Sequence, residues 1–130
     1  MAPWAGIWSA VPHSVGAIRA AVVGYADGVG VSRTTRDAVA IAVSEAATNA
    51  VVHAYVDARA PGRIAVTAEL VDDRLLRIVI RDDGRGMQPR ADSPGLGLGL
   101  SLIVQLTENM RIDSPDHSGT TVSMDFGLLG

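Results

Sequence analysis

The sequence predicts an α+β fold, a two-layer sandwich in which helices cover one face of a sheet. Two observations carry this. Strand-like alternation comes in adjacent pairs, which short turns join only as antiparallel neighbours, and the helical periodicities are grouped so that they share one sheet face. The order is strand, helix, helix, two strands, loop, helix, two strands.

The first strand is expected at Ile7 to Val11, a short apolar stretch stopped by Pro12 and suited to a sheet edge. From Ser14, Val15, Ile18, Val22 and Tyr25 recur at helical spacing until Gly28 and Gly30 supply stop signals. Thr34 with Asp37 three residues on has the form of a capping box and opens a second helix from Arg36 to about Tyr55, whose apolar face is Val39, Val43, Ala46 and Ala50. Ile64, Val66, Ala68 and Leu70 then alternate, Asp72 and Asp73 mark a turn, and Leu76, Ile78 and Ile80 alternate again, which predicts a hairpin. Met87 to Gly95 is polar and holds Pro89 and Pro94, a loop by composition. A third helix is expected at Leu98 to Leu106, then strands at Met110 to Asp113 and Thr120 to Phe126 around a turn at Asp116 to Gly119.

At 130 residues and 48% apolar composition, the chain has length for one core, so a single domain spanning 1–130 is expected. Cysteine is absent, which excludes disulfides, thiolate metal sites and cysteine nucleophiles. No secretory signal and no apolar stretch of the ~20 residues needed to span a bilayer is present, so a cytoplasmic protein without a membrane partner is expected. A net charge of −3 argues against direct binding to nucleic acid. All eleven basic residues are arginine. A P-loop nucleotide site, which relies on a lysine at the β- and γ-phosphates, is therefore excluded.

Four segments carry chemistry. Glu45, Asn49 and His53 stand at i, i+4 and i+8 on the second helix and share one face. Glu45 offers a carboxylate and Asn49 a neutral oxygen, enough for magnesium, which takes one or two protein ligands beside phosphate and water. A solvated surface acid is the plainer reading of Glu45. Zinc on Glu45 and His53 lacks a third ligand, and His53 suits the helix C-terminus. Next, parity places Asp82 of Asp82-Asp83-Gly84-Arg85-Gly86 on the core face with Leu76, Ile78 and Ile80, and Asp83 on the other. A buried carboxylate needs a donor, and an adenine amino group supplies one. Gly84 and Gly86 let the backbone approach a ligand closely, although Asp-Asp-Gly also reads as a simple turn. The third segment, Gly95-Leu96-Gly97-Leu98-Gly99-Leu100, joins a glycine loop to a helix N-terminus, an anion site that needs no lysine, or else a loop without ligand. A dinucleotide fingerprint is rejected because the polar run before Pro94 is no strand. Finally, Thr120 shares parity with Val122, Met124 and Phe126, so its hydroxyl faces inward, though threonine is also an ordinary strand residue.

Taken in order, these segments resemble the boxes of the Bergerat-fold ATPase and kinase superfamily. Glu45-Ala-Ala-Thr-Asn49-Ala-Val-Val-His53 resembles the N box, Asp82-x-Gly84-x-Gly86 the G1 box, Gly95 to Gly99 the G2 box and Gly119-Thr120-Thr121 the closing threonine motif. Ser44 to Tyr55 is most similar to the wording of the bacterial anti-sigma factor serine/threonine kinases. The resemblance covers about Val39 to Phe126. It implies a mixed, mostly antiparallel sheet and an ATP- and magnesium-dependent kinase that holds a sigma factor and phosphorylates a STAS-domain anti-anti-sigma protein, commonly as a homodimer. By matching motif, Asp82 accepts from the adenine amine, Gly86 and Thr120 complete the base pocket, Thr120 through water, Gly84 also binds the nucleotide, and Asn49 holds magnesium. Gly95, Gly97, Leu98, Gly99 and Leu100 line the phosphates, and Glu45 is the general base. Sensor histidine kinases are expected to carry a preceding dimerisation helix and a longer lid, and Hsp90 and gyrase much longer chains. The lid here carries Arg85 and Arg90 as its cations. The alternatives are a catalytically silent, nucleotide-gated binding module, a domain of a larger regulator, or an interaction domain that has lost nucleotide.

Overall fold

The computed structural model describes residues 2–54, 62–84, 94–114 and 119–129, with backbone alone at 53–54 and 94–99. Its elements are β1 (Trp4–Ser9), α1 (Ser14–Val29), α2 (Arg33–Ala54), β2 (Arg63–Val71), β3 (Leu75–Asp82), α3 (Pro94–Leu106), β4 (Asn109–Asp113) and β5 (Thr120–Gly127). The five strands form one sheet in the order β1-β2-β3-β5-β4. Every pairing is antiparallel, so the parallel pair that a mixed sheet allows is absent among the described strands.

Alternation decides which face the helices cover. Ile64, Val66 and Ala68 of β2, Leu76, Ile78 and Ile80 of β3, and Val122, Met124 and Phe126 of β5 are buried together with Ile18 and Val22 of α1, Val39, Val43, Ala46 and Ala50 of α2, and Ile103 of α3. The α2 helix lies between α1 and α3 and packs on β2, β3 and β5. The other face carries the opposite parity, including Thr67, Glu69 and Arg81, all exposed.

Element ends follow local chemistry, and several differ from expectation. Strand β1 lies earlier than Ile7 to Val11. Trp4 and Trp8 sit on its covered side with ring centroids 5.9 Å apart, and a Cβ on Gly6 between them would press into both indoles. Helix α1 continues through Gly28 and stops at Gly30, which has φ +83°. There the Val31 N–H donates to Ala26 O and the Gly30 N–H to Asp27 O, the two bonds of a Schellman motif. The α2 cap is Ser32, not Thr34: its Oγ accepts from the Thr35 N–H at 3.1 Å. The turn between β2 and β3 places Asp72 and Asp73 at φ +53° and +55°, the φ signs of a type I′ turn, closed by the Arg74 N–H on Val71 O. Helix α3 begins at Pro94 rather than Leu98. Proline suits a first helical turn because the N–H it lacks would have no helical partner there. The expected helix end at Tyr55, the loop from Met87 to Ser93 and the turn residues 116–118 lie outside the described residues.

On the uncovered face Arg77 of β3 and Asp125 of β5 are register partners joined by two hydrogen bonds of 2.8 and 3.1 Å. The bond to Asp125, and the carboxylate charge behind it, raise the Arg77 guanidinium above its ordinary pKa. Asp125 is only 4% exposed, so removing its partner strands a buried charge. Arg77→Ala is expected to lower stability by about 2 kcal/mol, discounted for the partly exposed guanidinium, as read from urea denaturation midpoints.

Candidate nucleotide site

At one end of the covered face the register brings polar residues into a row. Ile64 of β2 pairs with Asp82 of β3, and Asp82 pairs with Thr120 of β5. Asp82 is 5% exposed and Thr120 2%. The two neighbouring aspartates divide as parity requires. Asp82 Oδ1 accepts from the Gly84 N–H at 2.9 Å, while Asp83 Oδ1 accepts from the Arg63 N–H at 2.8 Å and ties down the start of β2. Gly119, at φ +100°, crosses so close to Asp82 that a Cβ there would collide with the Asp82 carbonyl oxygen. Both the torsion and the approach require glycine. Ser114, just past β4, completes the row through a 3.2 Å contact between its Oγ and Thr120 Oγ1. It was not among the expected residues. The alternation of Met110 and Ile112, which pair with Met124 and Val122, extends to it and is the signal that could have found it.

Rise per residue puts Asn49 of α2 at about the height of this row, for a helix that runs back along β5. Its N-terminus is fastened to the far end of β5: Thr35 Oγ1 donates to Gly127 O at 2.7 Å, and the Ser32 N–H to Leu128 O at 2.8 Å. From Thr35 the helix climbs about 21 Å to Asn49 at ~1.5 Å per residue, and β5 covers about 23 Å from Gly127 back to Thr120 at ~3.3 Å per residue. Glu45 lies one turn before Asn49 on the same side, and both are half-buried at the margin of the core face. Asn49 Nδ2 is buried and has no hydrogen-bond partner among the described residues. Such a donor costs about 1–3 kcal/mol if nothing meets it, so this side chain is shaped for a contact that the described protein does not supply. Next to Glu45 in the chain, Ser44 Oγ accepts from Arg19 of α1 at 3.2 Å.

The glycines Gly95, Gly97 and Gly99 lie in the first turns of α3 instead of in a loop before it. In a helix the N–H groups without an intrahelical partner belong to the first turn, here Gly95 and Leu96 since Pro94 has none, while from Gly97 onward, through Leu98, Gly99 and Leu100, the ladder uses them. Gly86, Arg85 and Arg90 lie outside the described residues, as do the side chains of His53 and Leu98.

A helix-backed antiparallel sheet with buried acceptors at one strand end, and an amide and a carboxylate on the adjoining helix, defines a class of nucleotide-binding domain. The chain belongs to the histidine kinase-like ATPase domain family, whose model matches residues 8–126. It is 36% identical over 130 residues to the serine-protein kinase RsbW of Bacillus licheniformis, covering 88% of this chain and 79% of that protein. It is 33% identical over 126 residues to blue-light-activated histidine kinase 2 of Erythrobacter litoralis, covering 94% of this chain but 36% of that one. Among solved structures, the RsbU and RsbW domains of a Mycobacterium tuberculosis protein superpose with a TM-score of 0.77 at 25% identity, over 97% of this chain and 32% of that one. The chain thus spans about a third of the length of two of these three. No helix among the described residues is long and apolar enough to cross a membrane.

Proposed function

We propose that this chain binds ATP with magnesium at the Asp82–Thr120 row, transfers the γ-phosphoryl group to a serine or threonine of a STAS-domain anti-anti-sigma protein, and sequesters a sigma factor. The observation that carries the reading is the pair of buried register partners, Asp82 and Thr120, together with a buried Asn49 Nδ2 that has no partner among the described residues. The relatives support the choice of substrate and partner: besides RsbW, an anti-sigma F factor of Heyndrickxia coagulans is 30% identical over 93 residues, 63% of each chain.

The residues divide the work. A carboxylate has four lone-pair sites, so Asp82 accepts from an adenine amine in addition to Gly84 N–H. Gly119 keeps that end of the sheet free of a side chain, and Thr120 faces the same space. The N–H groups of Gly95 and Leu96, which the helical ladder leaves free, hold phosphate oxygens at the positive end of α3. Asn49 would hold magnesium, which would neutralise phosphate charge, through its neutral amide oxygen, and its buried Nδ2, unmet among the described residues, would donate to a phosphate oxygen. Glu45 takes the proton from the substrate hydroxyl as its oxygen bonds to the γ-phosphorus, and the electron pair of the breaking bond leaves with ADP.

Incubation with γ-labelled ATP and STAS-domain proteins from the same genome tests this. Label on a serine or threonine of one of them is expected; ATP binding without transfer to any would favour the silent, nucleotide-gated module. That the chain spans 32–36% of two of its relatives also supports a place within a larger regulator.

A further inference from the structure

Helix α2 meets α1 on one flank, where Ser44 Oγ accepts from Arg19, and packs beside α3 on the other. Its outer ridge runs between those flanks. At about 100° per residue, Ile41, Glu45, Thr48 and Val52 fall within an arc of about 60°. Ile41 and Val52 are 45% and 53% exposed, Thr48 is exposed and Glu45 is half-buried.

The solvent side of a surface helix is ordinarily charged. From Ala38 to Val52 the only charged residue of α2 is Glu45. Apolar side chains left singly in water are commonplace, but here two stand on one ridge with the acid between them, Ile41 about 6 Å before it along the axis and Val52 about 10 Å after. A protein that brings a hydroxyl to Glu45 covers about 800 Å² of this surface, and a patch of that size centred on Glu45 takes in both. The core of such a contact is apolar and poor in charge, as this ridge is.

We propose that Ile41 and Val52 form the docking ridge for the phosphoacceptor protein, which sets an apolar residue on each while its serine or threonine hydroxyl lies at Glu45. This rests on the phosphotransfer reading above and adds to it the surface that holds the substrate. The two side chains touch neither the nucleotide nor the reacting atoms.

The test is steady-state transfer from magnesium ATP to the STAS-domain protein that takes label from the wild type, with Ile41→Ser, Val52→Ser and the double variant. Serine is close to isoleucine and valine in helix propensity and both sites are exposed, so folding should persist. The double variant is expected to raise KM for the protein substrate about tenfold with kcat and ATP affinity unchanged, and Ile41→Leu to keep the wild-type KM. Ile7→Ser, at a site 68% exposed on the opposite face of the sheet, is expected to change nothing, which separates this ridge from exposed apolar surface in general. A double-variant KM within about twofold of the wild type, a fall in kcat in its place, or an equal rise with Ile7→Ser would overturn the inference, while transfer by the wild type would leave the phosphotransfer reading standing. If the double variant does not fold, Val52→Thr, which keeps the shape and adds a hydroxyl, is judged by the same split. A wild type that labels no STAS-domain protein overturns the reading and this inference with it.

Discussion

Asp82→Asn is expected to weaken magnesium ATP binding by about 100-fold, the equivalent of one charge-assisted hydrogen bond lost and one donor left facing another. The carboxylate is asked to accept at every position. One oxygen takes the Gly84 N–H at 2.9 Å, and the adenine amine requires a further acceptor. Asparagine has one oxygen and one amino group, so whichever way the amide turns, either Gly84 or the base meets an N–H. The exchange is nearly isosteric at a site 5% exposed, so folding should persist and the loss should be seen in affinity. Equal affinities for the wild type and the variant, by calorimetry on samples with matched melting curves, would remove Asp82 from base recognition.

The second large effect is expected at Glu45. Glu45→Ala should lower phosphotransfer to a STAS-domain partner by about a thousandfold while leaving ATP affinity within about threefold, because a general base acts on the acceptor hydroxyl and does not hold the nucleotide. Its position supports this separation. Glu45 lies one helical turn from Asn49 at the margin of the core face, toward the solvent from which a protein substrate arrives. Single-turnover transfer rates at saturating ATP measure the effect, and a variant that transfers at the wild-type rate would take Glu45 out of the mechanism.

The features legible in the sequence were those set by local periodicity. Alternation along β3 assigned Asp82 to the covered face and Asp83 to the other, and the apolar face of α2 from Val39 to Ala50 is buried as read. What stayed hidden depends on contacts distant in sequence. Ser32, rather than Thr34, caps α2 in a helix end that Thr35 fastens to Gly127, 92 residues away. The need for glycine at 119 comes from the Asp82 carbonyl on the neighbouring strand as well as from its own φ. The Pro94 start of α3 was masked by a proline read as a loop marker when it fits a first helical turn. Ser114 meets Thr120 and Gly119, a relation visible once β4 and β5 are paired.

Titration of the wild-type chain with magnesium ATP tests the central claim most directly. Saturable binding at one site per chain, abolished or strongly weakened by Asp82→Asn, is the result predicted by the buried acceptor row and the unpartnered Asn49 amide. No saturable binding at millimolar ATP, from protein shown to be folded, would contradict it.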